Sequence, residues 1–531
     1  MPRKHLGLRG GALHAAIWAE SCVLVAIFGY NQAGAGSVLP TRSFNEQFPQ
    51  MDVLNTTGAQ KSHNSTIQGT VIALYTLFGV FGALACTFFG DTVGRRWTLW
   101  IACLFNLIGA VIMCSAFSFA QFIVSRIILG LGTGAVIATT SVWQSELSKA
   151  SSRGSHVSAF GIFCGIGLLL ALWIAFGTSY AINSFAWRFP LAVPIVFSLI
   201  AMPTIFLLPE SPRWLVKQGR DSEAHAIMEL LHEDPEVVES EMTAIRISLS
   251  MSGEASSISS IFRMGEQRVF HRAALGCLAQ MMLQMTGVNS ITYYASSLFE
   301  AQLGFDAKTA EALAAGSYFA LLLGGLICSF TVDRFGRRRL MLFSAASMSV
   351  CFAFEAGLVA HPDNKAGLKV AVFFIYLFQV VYTVGFLGLP FLYASEIAPA
   401  KERAAICGLS TATSWLFNFL VAEITPVAFT SIGWRYFIVY CVLNASWIPI
   451  IYFLFPETQG RSLEEIDEIF VQSKSIFDTV AVARRLPHKP LPAFEPALEK
   501  QIHEGDGESP LKIRALHLEE VPPQTTTLKE W

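Results

Sequence analysis

Twelve apolar runs, each near the roughly 20 residues that a helix needs to cross a bilayer, divide this chain into two sets of six. The first set falls at about 15–38, 67–89, 98–117, 120–143, 155–177 and 189–208, and the second at about 272–298, 310–332, 340–360, 367–394, 404–430 and 434–455. A helix satisfies its own backbone hydrogen bonds, so it is the form such runs take in lipid. The wider composition agrees, with 53% hydrophobic and only 14% charged residues, where soluble domains carry roughly 25% charged. The expected fold class is therefore an all-α integral membrane protein of twelve transmembrane helices arranged as two six-helix bundles. Arg3, Lys4 and Arg9 precede the first run, which continues from Ala15 to Leu39 and is too long for a cleaved signal core, so it reads as the first span.

Lys and Arg mark one end of the spans. Arg95, Arg96, Lys149, Arg153, Arg334, Arg337, Arg338, Arg339, Lys401 and Arg403 crowd into four short connectors. The positive-inside rule puts those connectors, both termini and the central linker in the cytoplasm. The loop from Pro40 to Thr66 then lies outside, where its two sequons make Asn55 and Asn64 candidate glycosylation sites and favour the plasma membrane. The expected layout is a cytoplasmic N-terminus over 1–14, one bundle over 15–208, a cytoplasmic linker with short helices over 209–270, a second bundle over 271–455, and a cytoplasmic tail over 456–531. That tail loses its apolar periodicity after 470, turns Pro-rich and reads as disordered.

Several classes are excluded. A net charge of −2 leaves no basic face for nucleic acid. The ten Cys stand singly in apolar stretches with no CxxC pair, which points to small buried residues and not to a metal or disulfide framework. No GxxxxGKS or GxxxxGKT string offers a nucleotide site, and no nucleophile and base pair offers an enzymatic one. The expectation is a protein that is not an enzyme, with no cofactor and no metal, acting as a monomer in the bilayer on a small-molecule substrate.

The two halves repeat each other. GDTVGRRW (Gly90 to Trp97) and VDRFGRRRL (Val332 to Leu340) align Asp91 with Asp333, Arg95 with Arg337 and Arg96 with Arg338, each 242 residues apart. SELSKASSRG and SEIAPAKERA align Glu146 with Glu396 and Arg153 with Arg403 at 250, and PESPR and PETQGR align Glu210 with Glu457 at 247. Three charged signatures in one order at nearly one offset imply a duplicated six-helix unit. Transporters built from such repeats place their substrate at the repeat interface, near the bilayer midplane.

These strings, together with PESPRWL, QMTGVN (Gln284 to Asn289) and PETQGRSLEEIDEIF, resemble the sugar porter family of the major facilitator superfamily, in its fungal-type form, over Ala15 to Phe470. The resemblance implies two bundles related by a pseudo-twofold axis, and secondary transport of a sugar or polyol by alternating access. It also implies that Asp91, Arg95, Arg96, Glu146, Arg153 and Glu210 interlock the first half, with Asp333, Arg337, Arg338, Glu396, Arg403 and Glu457 interlocking the second, as networks that close an inner gate. Topology anchoring alone is the simpler reading, but anchoring needs no carboxylates. The first-half loop carries Thr92 where the second carries Arg334, which predicts a weaker first network. The linker, by resemblance, packs small helices beneath both halves, although its pattern equally fits a solvated tether.

Polar groups inside spans are expensive and so are functional candidates. Gln280 and Gln284 lie one turn apart on span 7, and Asn289 follows Gly287, which can loosen the helix. Amides both donate to and accept from hydroxyls, and Tyr293, Tyr294 and Trp415 offer rings to an apolar face. Interhelical polar packing is the plain alternative for each. Several amides that the family places in its sugar site are replaced here, by Leu283, Ala159, Leu321 and Ser414, and a Trp by Phe391, which suits a substrate more apolar than a hexose. Asn31 joins the candidate substrate residues; it stands where proton-coupled relatives carry an Asp beside the span 4 arginine, here Arg126, and cannot titrate. Glu20, Glu355 and Glu423 are the acids that would serve instead if protons are a partner. Two other readings remain, a mover of a non-sugar molecule such as a secondary metabolite and a nutrient sensor with a signalling tail.

Overall fold

The computed structural model describes residues 7–147, 153–232, 234–251, 261–361, 363–399, 401–461 and 463–486. A few side chains within those ranges, Asp91 and Arg153 among them, are outside the description, as are the Ser-rich stretch over 252–260 and most of the tail. Spans 1 to 6 are Gly10–Ser37, Gly58–Val93, Arg95–Cys114, Phe119–Leu147, Arg153–Thr178 and Phe185–Leu207. Spans 8, 9, 11 and 12 are Ala307–Phe335, Arg337–Val359, Arg403–Ser431 and Arg435–Leu454, and span 10 runs over Lys365–Ile397.

Eleven helices among the described residues are long and apolar enough to cross a membrane as single rods. Span 7 makes the twelfth crossing in two pieces, Val269–Met285 and Val288–Ala301. The break has a local cause. Gly287 sits at φ +97, and a Cβ there would press on the Phe352 and Tyr440 rings at 2.8 Å. The Thr286 carbonyl freed by the break accepts from the Asn444 side chain of span 12 at 3.0 Å, which keeps a backbone acceptor paired at membrane depth. Span 10 is also irregular, with one wide turn over Thr383–Leu387.

The repeated GRR string has a backbone explanation. Gly94 and Gly336 turn span 2 into span 3 and span 8 into span 9 at φ +93 and φ +88, a region that costs other residues strain. A Cβ at either site would also meet an acid, Glu210 Oε2 at 3.0 Å or Glu457 Oε2 at 2.5 Å. The motif thus combines a sharp turn with room for a carboxylate.

The halves meet through span 1 against the second piece of span 7, span 2 against span 11, and span 5 against span 8. Short helices finish the molecule at the basic-loop end. Pro212–Lys217, Asp221–Leu231 and Pro235–Met251 of the linker bury Trp214, Leu215, Ile227, Met228 and Met242 in one cluster with Leu13, Ile17, Trp143 and Ile205 of the first half. Ile261, at the far side of the undescribed stretch, packs on the second half, with Ala273, Ala398 and Ile406. Past span 12, Leu463–Gln472 is clamped beneath span 7: the Arg272 guanidinium pairs with Asp467 and lies 4.4 Å from the Phe470 ring centre. The expected disorder after 470 is corrected over Thr479–Arg485, which is helical, with Arg461 donating to the Ala483 carbonyl at 2.6 Å.

At the opposite end, the loop after span 1 folds back as a lid. Phe44 packs edge-on against Phe122 and Trp187, and Phe48 lies edge-on to Trp187 and tilted against Phe122. This folding corrects one expectation. Asn64 is wholly buried and its amide donates to the Pro49 and Asp52 carbonyls at 3.0 and 2.7 Å, so it is closed to a glycan. Asn55 remains exposed.

Candidate functional site

Two sets of charges at the basic-loop end repeat each other atom for atom in part. In the first half, Arg95 forks onto Glu146 through Nε at 3.0 Å and Nη2 at 3.1 Å. The Glu210 carboxylate accepts from the backbone N–H groups of Arg95 and Arg96 at 3.1 and 3.2 Å, so it caps the start of span 3, where donors are orphaned and the helix dipole favours a negative charge. Burial pushes the Glu210 carboxyl above its ordinary value, against the backbone N–H groups of Ser211, Arg96 and Arg95, which pull it down. The Arg96 side chain donates to the Phe206 carbonyl at 2.6 Å and lies over that ring.

In the second half, Glu457 caps span 9 through the N–H groups of Arg337 and Arg338 at 2.9 and 3.2 Å. Arg338 donates to the Tyr452 carbonyl at 2.7 Å and covers its ring. Arg337 pairs with both Glu396 at 3.1 Å and Asp333 at 3.0 Å, and the Thr458 hydroxyl donates to the other Glu396 oxygen at 2.6 Å. Arg403 is a correction: it donates to the Ala398 carbonyl of its own loop at 3.3 Å and, among the described residues, forms no ion pair with Glu396 or Glu457. The parts that Asp91 and Arg153 would play lie outside the described side chains.

Midway along the spans, a chain of side chains crosses between the halves. Gln32 of span 1 donates to Asn289 at 3.5 Å, the Asn289 amide donates to Gln284 at 2.5 Å, and Gln284 donates to the Ser414 hydroxyl of span 11 at 2.7 Å. Next to Ser414, Trp415 is wedged edge-on between Phe28 and Tyr75 of the first half. Tyr293 is buried and donates to Asn418 at 3.0 Å. Gln280 is fully buried, and neither amide atom has a hydrogen-bond partner in the structure.

Asn31 does not join this chain. Its amide donates to Asn106 at 2.9 Å and Thr133 at 3.2 Å, so it ties spans 1, 3 and 4 together, with only its carbonyl oxygen unpartnered. Nor does it meet Arg126, whose guanidinium donates to the Ile72 and Val71 carbonyls at 2.8 and 3.4 Å and lies over the Tyr75 ring. Of the three acids, Glu20 accepts from Thr204 at 2.6 Å within the first half, and Glu355 is buried without a partner. Glu423 alone of the three spans the halves, accepting from Thr70 of span 2 at 2.7 Å. The sequence reading missed Gln32 and Asn418, although each is a polar residue within an apolar run and so carried the same signal as Gln284.

Twelve crossings in two repeats, matched charge caps and a polar chain at the repeat interface define a secondary transporter of the major facilitator type, not an enzyme. The chain belongs to the sugar transporter family: the family model described as "Sugar (and other) transporter" matches residues 19–470. Its relatives include the sugar transporter STL1 of Saccharomyces cerevisiae, 35% identical over 88% of this chain and 83% of that one. They also include the MFS-type transporter oryC of Aspergillus oryzae, 34% identical over 94% and 93%. Among solved structures, the proton:xylose symporter XylE bound to 6-bromo-6-deoxy-D-glucose shares the fold, with a TM-score of 0.72 at 22% identity over 87% of this chain and all of that one.

Proposed function

We propose that the protein carries a polyhydroxylated solute, a sugar or a polyol, by alternating access. One observation carries this reading: the amides of Gln32, Asn289 and Gln284 run from half to half at mid-membrane. Amide groups exchange hydrogen bonds with hydroxyls without needing charge, and Trp415 supplies a ring face beside them. Gln280 and Tyr293 complete the candidate set. The charge networks at the basic-loop end hold three helix ends in each half and act as the inner gate. In this reading both termini are cytoplasmic, the protein works as a monomer in the plasma membrane, and Asn55 is the glycan acceptor.

Transport is downhill. The span 1 position next to the polar chain holds Asn31, which carries no proton, and Arg126 is neutralised by carbonyls and a ring instead of by an acid. The test is uptake of a labelled sugar and polyol panel by transporter-deficient cells, with external pH stepped and an uncoupler added. Saturable uptake insensitive to both supports the proposal. Proton-dependent uptake defeats the downhill part and points to Glu423 or Glu20 as the proton carrier. No uptake of any panel member by protein shown to be at the surface defeats the sugar reading and favours a non-sugar solute or a sensor.

A further inference from the structure

Span 10 carries a polar group that the transport reading has not used. Gln379 is fully buried, and among the described residues neither its amide nitrogen nor its amide oxygen has a hydrogen-bond partner. A buried amide with both ends unmatched is costly and is rarely left so without a use.

The helix faces say where it looks. One face of span 10 is taken by span 8, since the Tyr376 hydroxyl donates to the Leu313 carbonyl at 2.8 Å. A second is taken by span 9, with Phe374 stacked on Phe354 at 4.5 Å and Phe378 against Phe352 at 4.7 Å. Phe373 and Val370 are exposed on the lipid side. At 100° per residue, the remaining face is the one opposite lipid, and it holds Gln379 and Tyr382. Thr383, one turn beyond Gln379, adjoins Gly325 of span 8 where the other half packs: a Cβ on Gly325 would meet Thr383 at 3.6 Å and Ile162 of span 5 at 3.4 Å. The face of Gln379 therefore turns to the interface between the halves.

We infer that Gln379 is a solute-binding residue, with its amide hydrogen-bonding a hydroxyl of an uncharged polyol or sugar on the span 8 and span 10 side of the interface. This rests on the sugar or polyol reading above. An amide gives one group that donates and one that accepts, which matches a hydroxyl, and span 10 carries no acid or base between Val370 and Ser395 to select an ion. Gln379 sets which hydroxyl pattern is accepted.

The experiment uses the full chain in transporter-deficient cells, with labelled D-glucose and D-sorbitol as probes and their monodeoxy analogues as competitors. In the wild type, one monodeoxy analogue competes about ten-fold more weakly than its parent, roughly the effect of one hydrogen bond. Gln379→Leu raises the KM for the parent by a similar factor with Vmax little changed, and it no longer distinguishes that analogue. Gln379→Asn keeps part of the selectivity. Because no partner is lost, the purified Gln379→Leu variant without solute unfolds at the wild-type temperature or above it, which a structural role would not allow. If the wild type moves a probe while Gln379→Leu keeps its KM and its selectivity, the assignment of Gln379 is overturned alone. If Gln379→Leu fails to reach the surface, unchanged selectivity in Gln379→Asn and Gln379→Glu overturns it. A wild type that moves neither probe overturns the sugar or polyol reading and this inference with it.

Discussion

The first and second halves solve one problem with the same parts, then differ in what braces them. In both, a glycine at positive φ turns one span into the next, and an acid nearly 250 residues from its counterpart caps the helix start through two backbone N–H groups. In both, the second arginine of the motif donates to a carbonyl at the end of the last span of its half. The shared core of the repeat is thus the pairing of acid with backbone. Among the described side chains, Arg95 grips Glu146 and the Gly90 carbonyl, and Arg337 grips Glu396 and Asp333, with Thr458 also donating to Glu396. The first half is buttressed another way, by linker helices that bury Trp214 and Met242 against spans 1 and 4.

The largest effect should come from the two arginines. Removing one member of a buried pair strands the other, which costs about 3 kcal/mol at the low end for such pairs. The Arg337 pair with Glu396 is partly open, with 9% and 19% of the side chains exposed, and Arg95 with Glu146 is similar at 12% and 10%. Arg337→Ala and Arg95→Ala should each lose about 3 kcal/mol, because each strands a largely buried carboxylate, Glu396 or Glu146. Thermal unfolding in detergent, followed by tryptophan fluorescence, measures both. A loss seen for one arginine alone would break the claim that both halves rest on the same ion pair.

The next pair tests what the halves share. Glu210→Gln and Glu457→Gln each weaken a helix cap and should cost about 1 kcal/mol, alike to within a few tenths. A cap that matters in one half only would show that the repeat has diverged in function. Glu210 adds a pH signature. Its folded-state value is raised above the ordinary 4.5 by burial, so the folded form binds its proton more tightly than the unfolded chain does. Its contribution is therefore full below 4.5 and lost as pH rises through the raised value. Wild-type unfolding temperature should carry a downward component from this group as pH rises above 4.5, and Glu210→Gln should flatten it. An unchanged slope would remove Glu210 as its source.

How far the sequence could anticipate this depended on whether an interaction joins two side chains or a side chain and the backbone. Hydropathy located the spans, because lipid imposes one length on all of them, and QMTGVN pointed to the break in span 7 because Gly287 stands in it. The partnership of Arg95 with Glu146 followed from their repeated spacing. The work of Glu210 and Glu457 did not, since backbone donors leave no mark in a sequence. Arg403 looked like a network member by alignment with Arg153, yet its loop turns it onto Ala398. Asn64 looked like a loop residue until the loop folded over it. Asn31 and Gln32 are neighbours of like polarity, and only packing decides that the second one reaches Asn289.

The smallest expected effect is the most exacting for the comparison. Asp333 supplies the second acid on Arg337, but its side chain is 72% exposed, and an exposed pair one helical turn apart is worth about 0.4 kcal/mol. Asp333→Asn should therefore lower the unfolding temperature slightly at low salt and not at all at high salt, where screening shortens the reach of surface charges. Most of the loss in Arg337→Ala must then come from Glu396, whose burial makes that carboxylate dependent on its cation. If instead Asp333→Asn costs as much as Arg95→Ala and resists salt, the second acid is held out of water when the protein functions. The hold on Arg337 would then lie in Asp333 and not in Glu396.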